Sequence, residues 1–340
     1  MRGQMRDAVR ECMRSRLRRW AAVILSAALI GCLAGCAAPE SVREDGTLKI
    51  VTTIWPEYEW VQAILGDNPA GAEVTLLIDS GVDPHSFQPA VSDILELYTC
   101  DVLVYVGGAS DQWVGKALRG EVDPDLVTVS LLEVLGDSLC TEETVEGMEP
   151  EGHDHEGHHH EGHDHDAEEY DEHVWLSLRK AQTLVTALAE QIAAADSANA
   201  ATYRANAAAY NERLSALDAA YDAAVQAAPC KTLLFADRFP FRYLTEDYGL
   251  NYYAAFPGCS AETEASFSTV TFLAQKLRTL PAALIIDGGD GAIARTVAET
   301  AGNNAAILTL DSMQSARREG QTYLSVMEDN LTVLRQALGL

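Results

Sequence analysis

From Leu176 to Ala228 the chain carries neither glycine nor proline, and alanine is dense throughout. Leu184, Leu188 and Ile192 repeat at helical spacing. A run of this kind commits the middle of the chain to long helix. Asp196-Ser197 reads as a break and a new N-cap. The helix after it would hold about 30 residues and reach ~45 Å at the α-helical rise. We therefore expect 173–228 to be a rigid connection between two bodies. A length of 340 residues agrees with two.

Both flanks have an α/β rhythm. Before the run, Leu48–Ile54, Val74–Ile78, Val102–Val106 and Val127–Leu131 read as buried strands. Helices are expected from Pro56 to Leu65, where proline suits the first turn, and over Val91–Tyr98. After the run, strands are expected at Thr232–Phe235, Tyr252–Phe256, Ala283–Ile286 and Ala306–Leu310. Helices at Phe239–Tyr248, Thr269–Thr279, Ala292–Ala301 and Tyr323–Leu338 separate or follow them. Strands alternating with helices imply βαβ units and largely parallel sheets. The expected fold class is α/β, with two Rossmann-like lobes joined by long helix. Its parts are an N-terminal lobe over 47–140, the connection over 173–228 and a C-terminal lobe over 229–340.

The first 46 residues read as an address. Seven arginines precede an apolar run from Trp20 to Leu33. That run is shorter than the ~20 residues a bilayer span needs, and a basic start before it describes a secretory signal peptide. It exits at Leu33-Ala34-Gly35-Cys36, which resembles the lipobox of bacterial lipoproteins. The expectation is a signal peptide over 1–35, lipidation at Cys36 and a polar tether over 36–46.

The charge narrows the partners. Lys+Arg is 24 against Asp+Glu 51, a formal net of −27. Nucleic acid is contacted through clustered basic residues, so no nucleic-acid partner is expected. Cations are the natural ligands of such a chain.

Histidine placement sharpens this. Seven of the nine histidines lie between His153 and His165, inside an acidic segment over 141–172 with no apolar period. That segment reads as a solvated loop capable of weak zinc capture at several points. His155-Glu156-Gly157-His158-His159 fits the HExxH pattern formally. The protease mechanism needs that motif on a helix, and Gly152, Gly157 and Gly162 oppose one. The other two histidines stand apart. His85 follows the strand Val74–Ile78, in Asp83-Pro84-His85-Ser86-Phe87, and His173 sits where the loop turns into the helical run. Ligands of open α/β folds gather beyond the carboxyl ends of strands. Asp237 and Asp311 stand at two such ends in the second half, where an acid also serves as a helix cap. Two imidazoles with one or two carboxylates suit Zn2+, and also Mn2+ or Fe2+.

Other features carry less. Asp287-Gly288-Gly289-Asp290-Gly291 lacks the GxGxxG spacing and reads as a turn. The tryptophans read as packing residues. No Walker A motif occurs, so ATP hydrolysis would belong to another subunit. Cys100, Cys140, Cys230 and Cys259 allow three pairings. Pairing within each half and reduced thiols both stay open.

Asp83-Pro84-His85-Ser86-Phe87 and Asp171-Glu172-His173-Val174-Trp175-Leu176 resemble the two histidine motifs of a known family. It comprises the zinc- and manganese-binding receptors of bacterial ABC importers, the ZnuA/TroA-like cluster A-I solute-binding lipoproteins. Tyr105-Val106-Gly107-Gly108, Tyr248-Gly249-Leu250 and Leu310-Asp311-Ser312 extend the resemblance along the mature chain. The resemblance implies a metal held between the lobes by a receptor that is not an enzyme. It implies Zn2+ as cargo, with Mn2+ the other candidate, and delivery to an ABC permease and its ATPase. It also implies a monomer, lipid-anchored outside the cytoplasmic membrane. His85, His173 and Asp311 match metal ligands. The remaining ligand column holds Arg238, and a guanidinium cannot ligate a cation. Asp237 is the neighbouring candidate, with water, Cys259, Glu262 and Glu264 as alternatives. A surface adhesin or metal buffer acting through the His-rich loop, and a metallohydrolase, are the other classes. Ligation needs neutral imidazole, so affinity is expected to fall below ~pH 6.5.

Overall fold

The computed structural model describes residues 47–340, apart from 80–81, 121–122, 150–169, 261–263, 281–282 and 315–319. The expected signal peptide, Cys36, the tether, the histidine run and Glu262 lie outside the described residues.

Four short parallel strands make the first sheet: β1 (Lys49–Thr52), β2 (Glu73–Leu76), β3 (Val102–Tyr105) and β4 (Val127–Ser130). Their order is β2-β1-β3-β4. Between them run α1 (Trp55–Leu65), α2 (Val91–Thr99) and α3 (Gln112–Ala117), with α4 (Leu131–Leu135) following β4. Ile50, Val51, Val102, Leu103 and Val104 are buried whichever way they point. Helices cover both faces of such a sheet, so its strands are continuous apolar runs.

The helical run folds back on itself. It forms α5 (Leu178–Ala195) and α6 (Ala200–Ala227), separated by a turn over Ser197–Asn199. The break expected at Asp196 is therefore present. Ser177 caps α5 by accepting the Lys180 N–H. At 28 residues α6 is about 42 Å long. Its first half reaches the first lobe, where Asn206 Nδ2 donates to the Ile64 carbonyl at 2.9 Å. Its second half reaches the C-terminal helix, where Tyr221 Oη donates to the Met327 carbonyl at 2.6 Å.

The second sheet repeats the first arrangement. It comprises β5 (Thr232–Phe239), β6 (Asn251–Pro257), β7 (Leu284–Ile286) and β8 (Ile307–Thr309), ordered β6-β5-β7-β8 and all parallel. Its helices are α7 (Arg242–Tyr248), α8 (Phe267–Thr279), α9 (Ala292–Ala301) and α10 (Tyr323–Ala337). The strand β5 runs past its expected end at Phe235. A register shift lies between Phe235 and Arg238, after which Arg238 and Phe239 pair with Phe256 and Pro257. Pro240 then breaks the ladder, and α7 starts later than the Phe239 expected. The chain is thus two parallel-sheet α/β lobes joined by long helix. One apolar cluster runs through both, from Trp60 and Tyr203 to Tyr221 and Leu334.

One expectation needs correction, and one alternative left open is resolved among the described residues. The 141–172 segment is not solvated at its ends. Met148 is buried, Glu149 N donates to the Ala255 carbonyl at 2.9 Å, and Thr141 bridges to Tyr170. Its last two residues, Asp171 and Glu172, are buried beside His173. The described residues contain no disulfide: Cys100, Cys140, Cys230 and Cys259 are all reduced. Among the described residues no helix is long and apolar enough to cross a membrane.

Candidate metal centre

Strand order reverses between β1 and β3, and again between β5 and β7. Such switch points open crevices beyond the strand ends, and the chemistry-bearing side chains collect there.

His85 is placed by a short 3-10 turn, Pro84–Ser86, in the loop after β2. Asp83 caps that turn, its Oδ1 accepting the His85 N–H at 3.0 Å. The other Asp83 oxygen accepts Arg238 Nη1 of the second lobe at 2.8 Å. Arg238 therefore ties the lobes together across the cleft. Burial raises the Asp83 carboxyl, but the hydrogen bonds from Arg238 and the His85 N–H, with the Arg238 charge, together outweigh it and hold Asp83 below its usual value.

His173 is fully enclosed. Asp171 Oδ1 accepts both its N–H, at 2.9 Å, and its ring Nδ1, at 3.0 Å. With the proton on Nδ1, the lone pair is on Nε2. That atom is buried and has no hydrogen-bond partner among the described residues. The carboxylate behind the ring both fixes the tautomer and raises its basicity, as for histidines that bind metals. Burial pushes the imidazole down, but Asp171, Glu172 and Asp287 outweigh it and the net shift is upward. The backbone here is anchored from the second half of the chain. Tyr243 Oη donates to the Asp171 carbonyl at 2.7 Å, Trp175 Nε1 to Ser312 at 2.8 Å, and Tyr323 Oη to Trp175 at 2.6 Å. Trp175 is thus a buried packing residue, as expected.

The two imidazoles lie side by side, ring centroids 5.5 Å apart and planes tilted by 58°. Cys259, just past the end of β6, completes the group. One donor atom from each of His85, His173 and Cys259 lies within 4.8 Å of the others. Gly258 makes this approach feasible: a Cβ there would sit 2.8 Å from His173 Cε1 and 3.0 Å from the Phe239 carbonyl. Burial and the neighbouring His173 push the His85 imidazole down, against Glu172 and Asp83. Gln314 Nε2 lies 3.1 Å from His85 Nε2, the amide donating to the ring lone pair.

The expected carboxylates lie outside that group. Asp237 spends both oxygens on backbone, Oδ1 accepting Arg238 N at 2.9 Å and Oδ2 accepting Asp287 N at 3.1 Å. The register shift in β5 turns it into this cap. Nor does the Arg238 guanidinium pair with Asp237; it reaches Asp83 instead. Asp311 Oδ1 accepts the Met313 N–H at 2.7 Å, and its own N–H donates to Asn330 at 2.9 Å. Glu264 is exposed. The turn residue Asp287 is more involved than the sequence suggested. It accepts the Ser312 N–H at 3.0 Å, and burial pushes its carboxyl up to about 6. With Asp83, Asp237 and Arg238 it lines a cavity of about 400 Å³. The signal for Cys259 was its place, one residue past a glycine at a strand end.

Residues 50–337 match the family model described as zinc-uptake complex component A, periplasmic. The zinc-binding lipoprotein AdcA of Streptococcus pneumoniae is 34% identical over 298 residues, 86% of this chain. The chain spans only 56% of that relative's length. The high-affinity zinc uptake system protein ZnuA of Bacillus subtilis is 29% identical over 329 residues, covering 94% of this chain and 98% of that protein. The Zn(II)-bound crystal structure of the ZnuA-like domain of S. pneumoniae AdcA superposes with a TM-score of 0.68 at 29% identity, over 87% of this chain and all of that domain. With the family model matched from β1 to the last helix, the chain belongs to the ZnuA family of zinc-uptake components.

Proposed function

We propose that this protein captures Zn2+ between its lobes, outside the cytoplasmic membrane, and delivers it to an ABC permease driven by a separate ATPase. It acts as a receptor and not as an enzyme, anchored through a lipid on Cys36. The observation that carries the reading is the buried, unpartnered Nε2 of His173, whose ring lies 5.5 Å from that of His85. A buried polar atom left unmade costs ~1–3 kcal/mol, and an ion at that point would remove the cost. The reading is also supported by the printed names of the relatives, which bind or take up zinc.

Calorimetric titration of Zn2+ and Mn2+ into the soluble domain lacking 151–166 tests it. One tight zinc site is expected, because none of the converging donors belongs to the deleted segment. His85→Ala is expected to abolish it. No tight site in the shortened protein would transfer the activity to the histidine run and end the receptor reading.

Gln314 supplies a smaller prediction. Its amide competes with the ion for the lone pair of His85 Nε2. A hydrogen bond is worth ~0.5–1.5 kcal/mol net, so Gln314→Ala is expected to tighten zinc binding by roughly 3- to 10-fold. Unchanged or weakened affinity in the same titration would show that His85 binds through its other nitrogen.

A further inference from the structure

We infer that Cys259 is a thiolate ligand of the transported ion, taking over from the column that Arg238 occupies, and that it makes the site a His2Cys centre selective for zinc over manganese. The inference rests on the reading of the cleft as the zinc-capture site and adds its donor chemistry. Three observations carry it. The donor atoms of Cys259, His85 and His173 lie within 4.8 Å of one another. The His173 Nε2 at that point is buried and unpartnered. The backbone leading to Cys259 passes so close to the His173 ring that only glycine fits at 258.

Two of the second-lobe alternatives are spent. Arg238 carries a cation and is held by Asp83, while Asp237 caps two backbone N–H groups. Zinc bonds of about 2.0–2.3 Å to nitrogen and sulfur place neighbouring donors of a tetrahedral site roughly 3.5 Å apart. Side-chain adjustments of about an ångström therefore close the group around an ion. Ligation forms a metal–sulfur bond and releases the thiol proton to solvent. Thiolate favours zinc and other thiophilic ions, whereas manganese favours carboxylate and water. A Cys-containing site consequently answers the zinc-or-manganese question that two histidines and a carboxylate leave open.

The test uses Co2+ as a spectroscopic probe in the full-length protein, with zinc affinity measured alongside. The wild type is expected to show an intense thiolate-to-cobalt charge-transfer band in the near ultraviolet. Histidine-only sites, including any in the 153–165 run, do not produce it. Cys259→Ser should lose the band and weaken zinc binding roughly 100-fold, while Cys140→Ser keeps both. Mn2+ is expected not to displace zinc from the wild type. Should Cys259→Ser fold poorly, alkylation of the wild type decides: zinc should slow modification of Cys259 and leave Cys230 unaffected. A tight, His85-dependent zinc site with no charge-transfer band, with Cys259 still freely alkylated, would overturn the inference and leave the receptor reading intact. A wild type with no tight zinc site, or one indifferent to His85→Ala, would overturn the receptor reading itself.

Discussion

His173→Ala is expected to weaken zinc binding by roughly 10²- to 10³-fold. The binding free energy of a protein zinc site is ~10–16 kcal/mol. Shared among three or four ligands, that is about 3–4 kcal/mol each, and every 1.4 kcal/mol is tenfold. His173 should be at the upper end, because its Nε2 is buried and Asp171 holds the ring with its lone pair toward the cleft. Asp171→Asn leaves the imidazole in place but removes the carboxylate behind it. A loss of about 10- to 100-fold is expected there, the usual effect of losing such a partner. Calorimetry measures both, with circular dichroism checking that each variant is folded. If His173→Ala kept zinc affinity within a few fold, the cleft would not be the capture site.

The second large effect concerns pH and does not involve the candidate metal ligands. Glu57, at the start of α1, is wholly buried. Its Oε2 accepts the N–H groups of Thr53 at 2.8 Å and Ile54 at 3.1 Å, while Oε1 has no partner among the described residues. Burial, reinforced by the negative Asp111 nearby, pushes its pKa from 4.5 up to about 8 despite those hydrogen bonds. Burial likewise raises Asp111, to about 6. Between those limits the folded chain holds a proton that the unfolded chain has released. Stability is therefore greatest at or below the unfolded value and falls as pH rises toward 8. At 1.36 kcal/mol per pKa unit the loss attributable to Glu57 is roughly 4 kcal/mol by pH 8. Glu57→Gln mimics the protonated acid and keeps an oxygen for Thr53 and Ile54. It is expected to raise stability at pH 8 by several kcal/mol and to flatten the decline. Urea unfolding of both proteins across about pH 5 to 8 measures this. Parallel pH curves for the two would show that Glu57 does not carry the proton.

Much of the architecture was legible along the chain. All eight expected strands and the main helices are present, because apolar runs bounded by turns and the glycine- and proline-free stretch are local signals. His85 and His173 were legible too. Each stands outside the histidine run, and each follows an acid two residues back: Asp83 caps the turn of one, and Asp171 holds the ring of the other. The helical break at Asp196 was visible for the same local reason, but not the antiparallel return of α6 along α5.

The roles of the second-lobe acids were not legible. Asp237 and Asp311 stand at strand ends, as ligands would; Asp237 gives both oxygens to backbone N–H groups, and Asp311 Oδ1 accepts the Met313 N–H. Which of those uses an acid takes depends on where its carboxylate points. A shift of pairing partners in β5 decided that for Asp237, and no residue type announces such a shift. The solvated reading of 141–172 failed similarly at its described ends, since polar composition does not reveal that Met148 and Asp171 find buried partners far along the chain.

Residue periodicity and spacing alone therefore carried the fold class and the strand and helix inventory, and singled out the two imidazoles as candidates, because each depends on interactions within one turn or one strand. Only the folded chain decided that Cys259 meets those imidazoles and that Arg238 crosses to Asp83. The reason is geometric. These residues come from different lobes, and their encounter is set by the packing of two sheets against long helices, which no local pattern encodes.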